Sequence, residues 1–398
     1  MKKELREAYN QSFSQKKYHS FLQDMDNAYP GLLDFRVAET PVFVPKELKQ
    51  KILDAAESII DMIIDPSFKE LTQNAIPKNL IVPNENNHTH FMALDFAVCI
   101  NVQGEIEPQL IEMQGFPSLN AYQILFPEIS KKHFPIPENY SSFLSGHNQE
   151  SYIQLLKEII LGDHQPENVI LLEIFPQIQK TRIDFACTET YVGIKTVCLT
   201  ELIKNGKNLY YLLDGKKTKI HRIYNRLIFD ELQQQTSEIQ EKGKILFEEL
   251  DVEWITHPNW FYRISKYTLP FIHHPLVPKT YFLNDVKQIP EDLENYVLKP
   301  LFSFAGHGVI IDLQSSDIEN IKDPENWILQ RKVKYADIIE TPDIPAKVEI
   351  RIFYFWKDGE TRPVAVNNLA RLSKGKMVGV SYNKDKEWVG GSFCWFEN

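Results

Sequence analysis

The sequence predicts an α/β (α+β) protein with an N-terminal helical segment, a small parallel α/β unit, and antiparallel strand pairs on either side of that unit. Three patterns carry the expectation. From Tyr152 to Leu199, helix-period and strand-period segments alternate at the spacing of a parallel sheet with crossover helices. Strand pairs lie outside this region, at residues 94–114 and 349–369. Ahead of residue 65, apolar residues recur at helical spacing instead.

At 398 residues the chain has room for two or three domains with cores. A net charge of −10 argues against nucleic acid or an anionic membrane as partners, while leaving room for a local basic cleft. The four cysteines (Cys99, Cys187, Cys198, Cys394) form no CxxC pair and read as free thiols of a reducing cytosol. The basic N-terminus has no apolar core to make it a secretory signal, and no run approaches the roughly 20 apolar residues of a membrane span. The expectation is a soluble, cytoplasmic protein of unknown oligomeric state.

Residues 1 to about 64 read as helical. Pro45 suits a first helical position, and Leu48, Ile52, Ala55, Ile59 and Met62 then make one apolar face. Tyr9, Phe13, Tyr18 and Phe21 read as packing on a neighbouring domain. From Phe91 the period changes. Leu94–Val102 reads as a strand, Gln103-Gly104-Glu105 as its turn, and Gln109–Gln114 as the returning strand. Glu112 and Gln114 share a face, and if Asp95 points the same way three oxygen-bearing side chains converge. Such a set is either a solvated polar face or a site for Mg²⁺, which takes one or two carboxylates plus phosphates and waters. A buried Glu112 in its apolar surroundings would need a partner. His88 and His90 alternate upstream as a metal pair without a third soft ligand.

Gly115 to Asn120 turn into a short helix through Tyr122 and Leu125. Ser118 either caps that helix plainly or leaves its N–H groups to hold a carboxylate or phosphate. Residues 132–150 read as a linker. In the parallel unit, helix Tyr152–Leu161 precedes strand Val169–Phe175, and helix Thr181–Tyr191 precedes strand Ile194–Leu199. A substrate would sit at the strand ends. Glu189 and the Tyr224-Asn225-Arg226 set are candidates there, and Arg226 either pairs structurally with Asp230 or binds a carboxylate. A polar helix, Gln233–Leu250, follows.

Another helix, ending at Pro270, carries Lys266. In the stretch Tyr296–Ile311 a strand delivers Lys299; Ser303, Gly306, His307 and Gly308 follow, and then a second β-branched strand. Lysine supplies a point charge, and glycines let backbone N–H groups approach polyphosphate oxygens. The same spacing suits a hairpin turn. It is neither a Walker loop nor a dinucleotide fingerprint, since no Gly-Lys-Ser/Thr, third glycine or helix follows. Trp327–Val333 reads as a strand with a polar exit. Glu349–Phe353 is another, with Glu349 and Arg351 on one face, and its partner Pro363–Leu369 leads to Arg371. Buried-looking arginines need anions.

The order Lys266, Lys299, Ser303–Gly308, Gln330–Val333, Arg351, Arg371 resembles the ATP-grasp superfamily of carboxylate–amine ligases, over roughly residues 255–398 and 90–120. The acidic set that the family keeps at its C-terminus stands here near the N-terminus, as Asp95, Glu112 and Gln114. The chain is therefore similar to the circularly permuted members, the glutathionylspermidine synthetase-like and glutathione synthetase-like group. Their Glu-x-Asn leads into a Pro-containing turn, as Glu112-Met113-Gln114-Gly115-Phe116-Pro117-Ser118 does. Gln114 departs from the usual Asn, and Met92 and Ala93 stand where a basic residue precedes the metal Asp, with His90 as a substitute.

The resemblance implies an N-terminal helical segment (1–75), a permuted metal-ligand hairpin (76–131), a small substrate domain (150–250), a nucleotide lobe (255–335) and a C-terminal lobe (336–398). It implies ATP with adenine against Gln330, Lys332 and Val333, phosphates on Lys266 and Lys299, and Ser303, Gly306, His307 and Gly308 closing over them. Mg²⁺ would lie on Asp95, Glu112 and Gln114, while Arg351 and Arg371 steady the phosphoryl group as it moves to a substrate carboxylate. A small amine would then displace phosphate to give an amide. The partners implied are small-molecule carboxylate and amine substrates, received by Ser118, Asn120, Glu189, Tyr224 and Arg226. A small-molecule kinase and a non-catalytic nucleotide-binding protein remain open as alternatives. A protein-kinase fold does not fit, because its motif set is absent.

Overall fold

The computed structural model describes residues 2–302, 308–376, 378 and 383–398. At its centre lies a five-stranded antiparallel sheet in the order Gly390–Ser392, Val364–Ser373, Lys347–Phe355, Phe91–Ile100, Ile106–Gln114. Two stretches remote in sequence thus run side by side, with Arg351 opposite Asp95 and Glu349 opposite Ala97. Strand Phe91–Ile100 is buried over nearly its whole length, so both of its faces are covered and its residues are almost all apolar.

Period 2 divides those faces. Met92, Leu94, Phe96 and Val98 join Ile350 and Ile352 against helix Lys46–Ile63, which supplies Leu48, Ile52, Ala55 and Ile59 as its spacing predicts. Each such fully buried aliphatic side chain contributes about 1.5–3 kcal/mol. On the other face Phe91 and Ala93 pack with Phe353 and Phe355, and Tyr152 and Tyr224 cover them. Asp95, Glu349 and Arg351 continue that second face.

One irregularity decides where Glu112 points. Phe96 pairs with Leu110, but Asp95 pairs with Glu112, so Ile111 is an extra residue in the returning strand. Without this bulge Glu112 would oppose Leu94 and enter the apolar face under helix Lys46–Ile63. With it, Glu112 and Gln114 stand on the face of Asp95, because one residue of slip inverts every side chain beyond it.

The small sheet is parallel throughout, in the order Glu253–Ile255, Arg222–Asn225, Val169–Glu173, Lys195–Cys198, with helix Arg182–Val192 as the crossover between the last two and helix Gln149–Leu161 leading into strand Val169–Glu173. Other stretches depart from expectation. The N-terminal segment is two helices, Lys3–Ser12 and Gln15–Ala28, followed by strand Val42–Val44, which pairs in parallel with Cys394–Glu397 at the far end of the chain. Pro45 therefore stands just before the helix rather than in its first turn. Strand Tyr140–Ser141, inside the expected linker, pairs with the same C-terminal strand. An antiparallel meander, Ile203–Asn205, Asn208–Leu213, Lys216–Ile220, lies between strands Lys195–Cys198 and Arg222–Asn225. The polar helix is broken into Phe229–Gln233, Ser237–Gly243 and the 3-10 turn Lys244–Phe247. Beyond Lys299 the second strand shrinks to one bridge, Leu298 to Ile310. Tyr9, Phe13, Tyr18 and Phe21 pack on neighbouring aromatic rings, including Phe43, Phe126, Phe134 and Trp388. All four cysteines are buried and free. Among the described residues no helix is long and apolar enough to cross a membrane.

Helix Tyr122–His133 has no side-chain cap of its own. Asp184, from helix Arg182–Val192, fills that role: its carboxylate accepts from the N–H groups of Leu119 (3.0 Å), Ala121 (2.8 Å) and Tyr122 (2.8 Å). Ser118 is thus not the cap, and these N–H groups are not free to hold a ligand's anion. Asp184→Ala should cost about 2–4 kcal/mol, because three N–H groups lose a charged acceptor. Asp184→Asn, which keeps a carbonyl oxygen, should cost less. Urea unfolding measures both, and an Asp184→Ala protein as stable as its parent would remove the cap from this account.

Candidate functional site

The polar end of the central sheet is a cluster of charges. Arg351 donates Nε and Nη2 to the two oxygens of Asp95, both at 2.7 Å, and Arg371 Nη2 donates to Asp95 Oδ2 at 2.8 Å. Arg371 also pairs with Glu349, whose second oxygen accepts from the Tyr335 hydroxyl at 2.8 Å. Register produces this convergence, since Arg371 opposes Glu349 and Arg351 opposes Asp95, which opposes Glu112. Asp95 is wholly buried. Burial raises the pKa of Glu349 despite the nearby Arg371.

Glu112, half-buried, accepts from Gln114 Nε2 at 2.7 Å. Burial pushes its pKa up, but Lys266, Arg371, Arg351 and Lys299 together outweigh burial and hold it down at about 2. Lys299 projects from strand Tyr296–Pro300 and is buried. Its Nζ donates to Gln330 Oε1 at 2.6 Å and to the carbonyl of Ile111, the bulge residue, at 3.4 Å. Among the described residues it has no salt bridge. Burial lowers its pKa to about 8, with Glu112 pulling the other way. Burial also lowers Lys266, which opens the 3-10 turn Lys266–Phe271. A cavity of about 160 Å³ lies here, with Glu112, Gln114, Ser118, Arg226, Lys266 and Phe302 in its wall.

The remaining expected residues sort by position. Arg226 reaches this cavity but does not pair with Asp230. Its Nη1 donates to the Pro117 carbonyl at 2.6 Å, its guanidinium lies 4.6 Å from the Phe116 ring centroid, and its Nε is buried without a partner. Asn120 and Tyr224 are bonded to each other (3.1 Å) in the core. Glu189 accepts from the Thr196 backbone at 2.8 Å and ties helix Arg182–Val192 to the parallel sheet, away from the cluster. Gln330 points inward and links Lys299 to Thr280 Oγ1 (3.0 Å), so its side chain positions the lysine and does not face outward to a base. The Lys332 N–H is used by the Asn295 carbonyl at 2.7 Å, and Val333 is half-buried beside it. Ser303, Gly306 and His307 lie outside the described residues. Gly308 has φ +75° and a Cβ there would stand 3.1 Å from Pro300, so this position favours glycine on two counts.

Asp95 fits a Mg²⁺ ligand less well than Glu112, because three guanidinium N–H groups already use most of the lone pairs on its oxygens. Glu112, ionised and next to the Gln114 amide, does fit. His88 stacks on Trp356 and His90 Nε2 lies 3.0 Å from Asp358; among the described residues no three potential ligands converge on a metal. Two participants escaped the sequence reading. Glu349 carried a signal, its shared face with Arg351, whereas Tyr335 carried none.

No family model matches the chain, and no curated protein does. Among solved structures it is similar to a glutathione synthetase-like effector from Globodera pallida, in its apo form, with a TM-score of 0.58 at 12% identity over 96% of this chain and 98% of that one. The likeness shows a shared mixed α/β fold.

Glu112 makes acid stability a measure of the cluster. Its folded pKa, about 2, lies below the ordinary 4.5, so its contribution is complete above pH 4.5 and is lost as pH falls toward 2. For a partly buried carboxyl the loss is on the order of 1–2 kcal/mol. Urea unfolding between pH 6 and pH 3 should therefore show a steeper acid loss in the parent than in Glu112→Gln; matching slopes would contradict the cation cluster.

Proposed function

We propose that the cleft beside Glu112 binds the polyphosphate of ATP and that the chain is an ATP-dependent carboxylate–amine ligase. One observation supports this most: Lys299 is a buried cation whose hydrogen bonds, among the described residues, go to neutral oxygens, with Glu112 as a nearby but unbonded negative charge. Burying an ammonium without a directly bonded counter-ion is costly, and an arriving phosphate would supply one. Lys266 lines the same cavity and also lowers the pKa of Glu112, and the shared fold with a glutathione synthetase-like protein agrees with nucleotide-dependent ligation.

In this reading Lys266 and Lys299 hold the phosphates, and the clamp on Asp95 keeps Arg371 aimed along the sheet face. A substrate carboxylate oxygen bonds to the γ-phosphorus as the bond to the β–γ bridging oxygen breaks and ADP leaves. An amine nitrogen then attacks the acyl carbon, loses a proton and expels phosphate. Fixed cations serve this chemistry because the transition state spreads charge over the phosphoryl oxygens. Magnesium, taken by Glu112 and Gln114, would neutralise phosphate charge. A second reading, nucleotide binding without ligation, is favoured by the two guanidinium groups on Asp95, which leave Glu112 as the freer carboxylate of the expected set.

Lys299→Met should weaken ATP binding by on the order of 10- to 100-fold, the worth of a charged hydrogen bond to phosphate of about 1.5–3 kcal/mol. Titration calorimetry with magnesium present reads it. Unchanged affinity in a folded variant defeats the proposal, and binding without release of phosphate under any acid and amine selects the second reading.

A further inference from the structure

We propose that the acid received by this chain is amphiphilic: a carboxylate joined through an amide to an apolar tail, as in an N-acyl amino acid. The site is a cavity of about 720 Å³ with Arg371 in its wall, distinct from the smaller cavity that Glu112 lines. Cavities of roughly 300–1,000 Å³ enclose ligands of drug size. Binding there stands on the cavity alone; only the statement that the bound acid is activated rests on the ligase reading above.

The wall shows the chemistry. Leu369 and Arg371 are two residues apart on strand Val364–Ser373 and share a face, and both line the cavity. Tyr122 and Phe126, one turn apart on helix Tyr122–His133, face them with Phe35 and Val389, so most of the wall is apolar. Arg371 supplies the cation. Both of its ion pairs run through Nη2, which leaves Nε and Nη1 without a partner among the described residues. Nε and Nη1 lie on different edges of the guanidinium, so each is a single charge-assisted donor that a carboxylate oxygen can accept from. Arg36, Lys384 and Lys386 stand further along the wall with Asp385, so the balance of charge there is positive.

A plain fatty acid does not account for Gln123. This side chain lines the cavity, is 1% exposed, and neither its amide oxygen nor its amide nitrogen has a hydrogen-bond partner. The hydroxyl of the neighbouring Tyr122 is also buried and unpartnered. Buried polar atoms are rarely left unpaired, and each such group costs about 1–3 kcal/mol. A ligand amide offers one donor and one acceptor, which a primary amide side chain can pair with at both ends. A carboxylate for Arg371, an amide for Gln123 and a tail for Phe35, Phe126 and Leu369 together define the ligand class.

The test is calorimetry on the full chain, without nucleotide, using N-octanoylglycine, undecanoate and N-acetylglycine. N-octanoylglycine should bind at least tenfold tighter than either of the others. Gln123→Leu, close to the native side chain in shape, should bring its affinity to that of undecanoate and leave undecanoate no weaker. N-acetylglycine binding equally well would overturn the apolar cavity as the site. Undecanoate binding equally well, or a Gln123→Leu protein with unaltered preference, would overturn the amide assignment. A parallel incubation with ATP, magnesium, N-octanoylglycine and hydroxylamine addresses the ligase reading separately. There the hydroxylamine nitrogen displaces phosphate from the acyl phosphate to leave a hydroxamate and a proton. Binding without hydroxamate refutes activation and leaves the cavity assignment standing.

Discussion

Two parallel hydrogen bonds from Arg351 to Asp95 hold the register on which the site depends. They join strands that lie at opposite ends of the sequence, in the buried middle of the central sheet. A slip of one residue would turn Asp95 into the aliphatic face under helix Lys46–Ile63 and leave two charges unpaired. Breaking a buried ion pair by removing one partner costs about 3–5 kcal/mol. The pair is therefore less a source of net stability than a specifier of one alignment, and that alignment brings Glu349, Arg371 and Glu112 together.

Once the register is set, the Ile111 bulge serves two ends. It brings Glu112 to the polar face, and it presents the Ile111 carbonyl to Lys299. Lys299 then donates to neutral acceptors, its pKa lowered by burial, with Gln330 held by Thr280 to receive it. Arg371 belongs to two environments, with one nitrogen in the carboxylate cluster and the rest of its guanidinium at an apolar cavity. In the proposed chemistry this is the junction between a phosphoryl donor and a bulky acid.

The central hairpin, the Lys46–Ile63 helix and the parallel unit were legible because each depends on local period. So was the shared face of Glu112 and Gln114, although the bulge that places them on the Asp95 face leaves no mark in an apolar run. Non-local partners account for most of what was missed. Strand Val42–Val44 is a strand because of Cys394–Glu397, and the helix after Ser118 is capped by Asp184 from another element, which took the place of an adjacent hydroxyl. Arg226 found a carbonyl and an aromatic ring where Asp230 lay closer in sequence, and Gln330 turned inward because Lys299 needed an acceptor. Asp95 does share the face of Glu112 and Gln114, while the arginines on its oxygens come from strands far along the chain and leave no local trace.

The central claim is that Lys299 is a buried cation whose counter-ion is a polyphosphate. Its ammonium can be followed by NMR, with the Lys299 resonance assigned by its absence in Lys299→Met, across a pH titration with and without saturating ATP and magnesium. The account predicts a midpoint near pH 8 in the free protein and a shift toward or above the ordinary lysine value of 10.5 when nucleotide binds. An ordinary midpoint in the free protein, or one that nucleotide leaves unmoved, would contradict it.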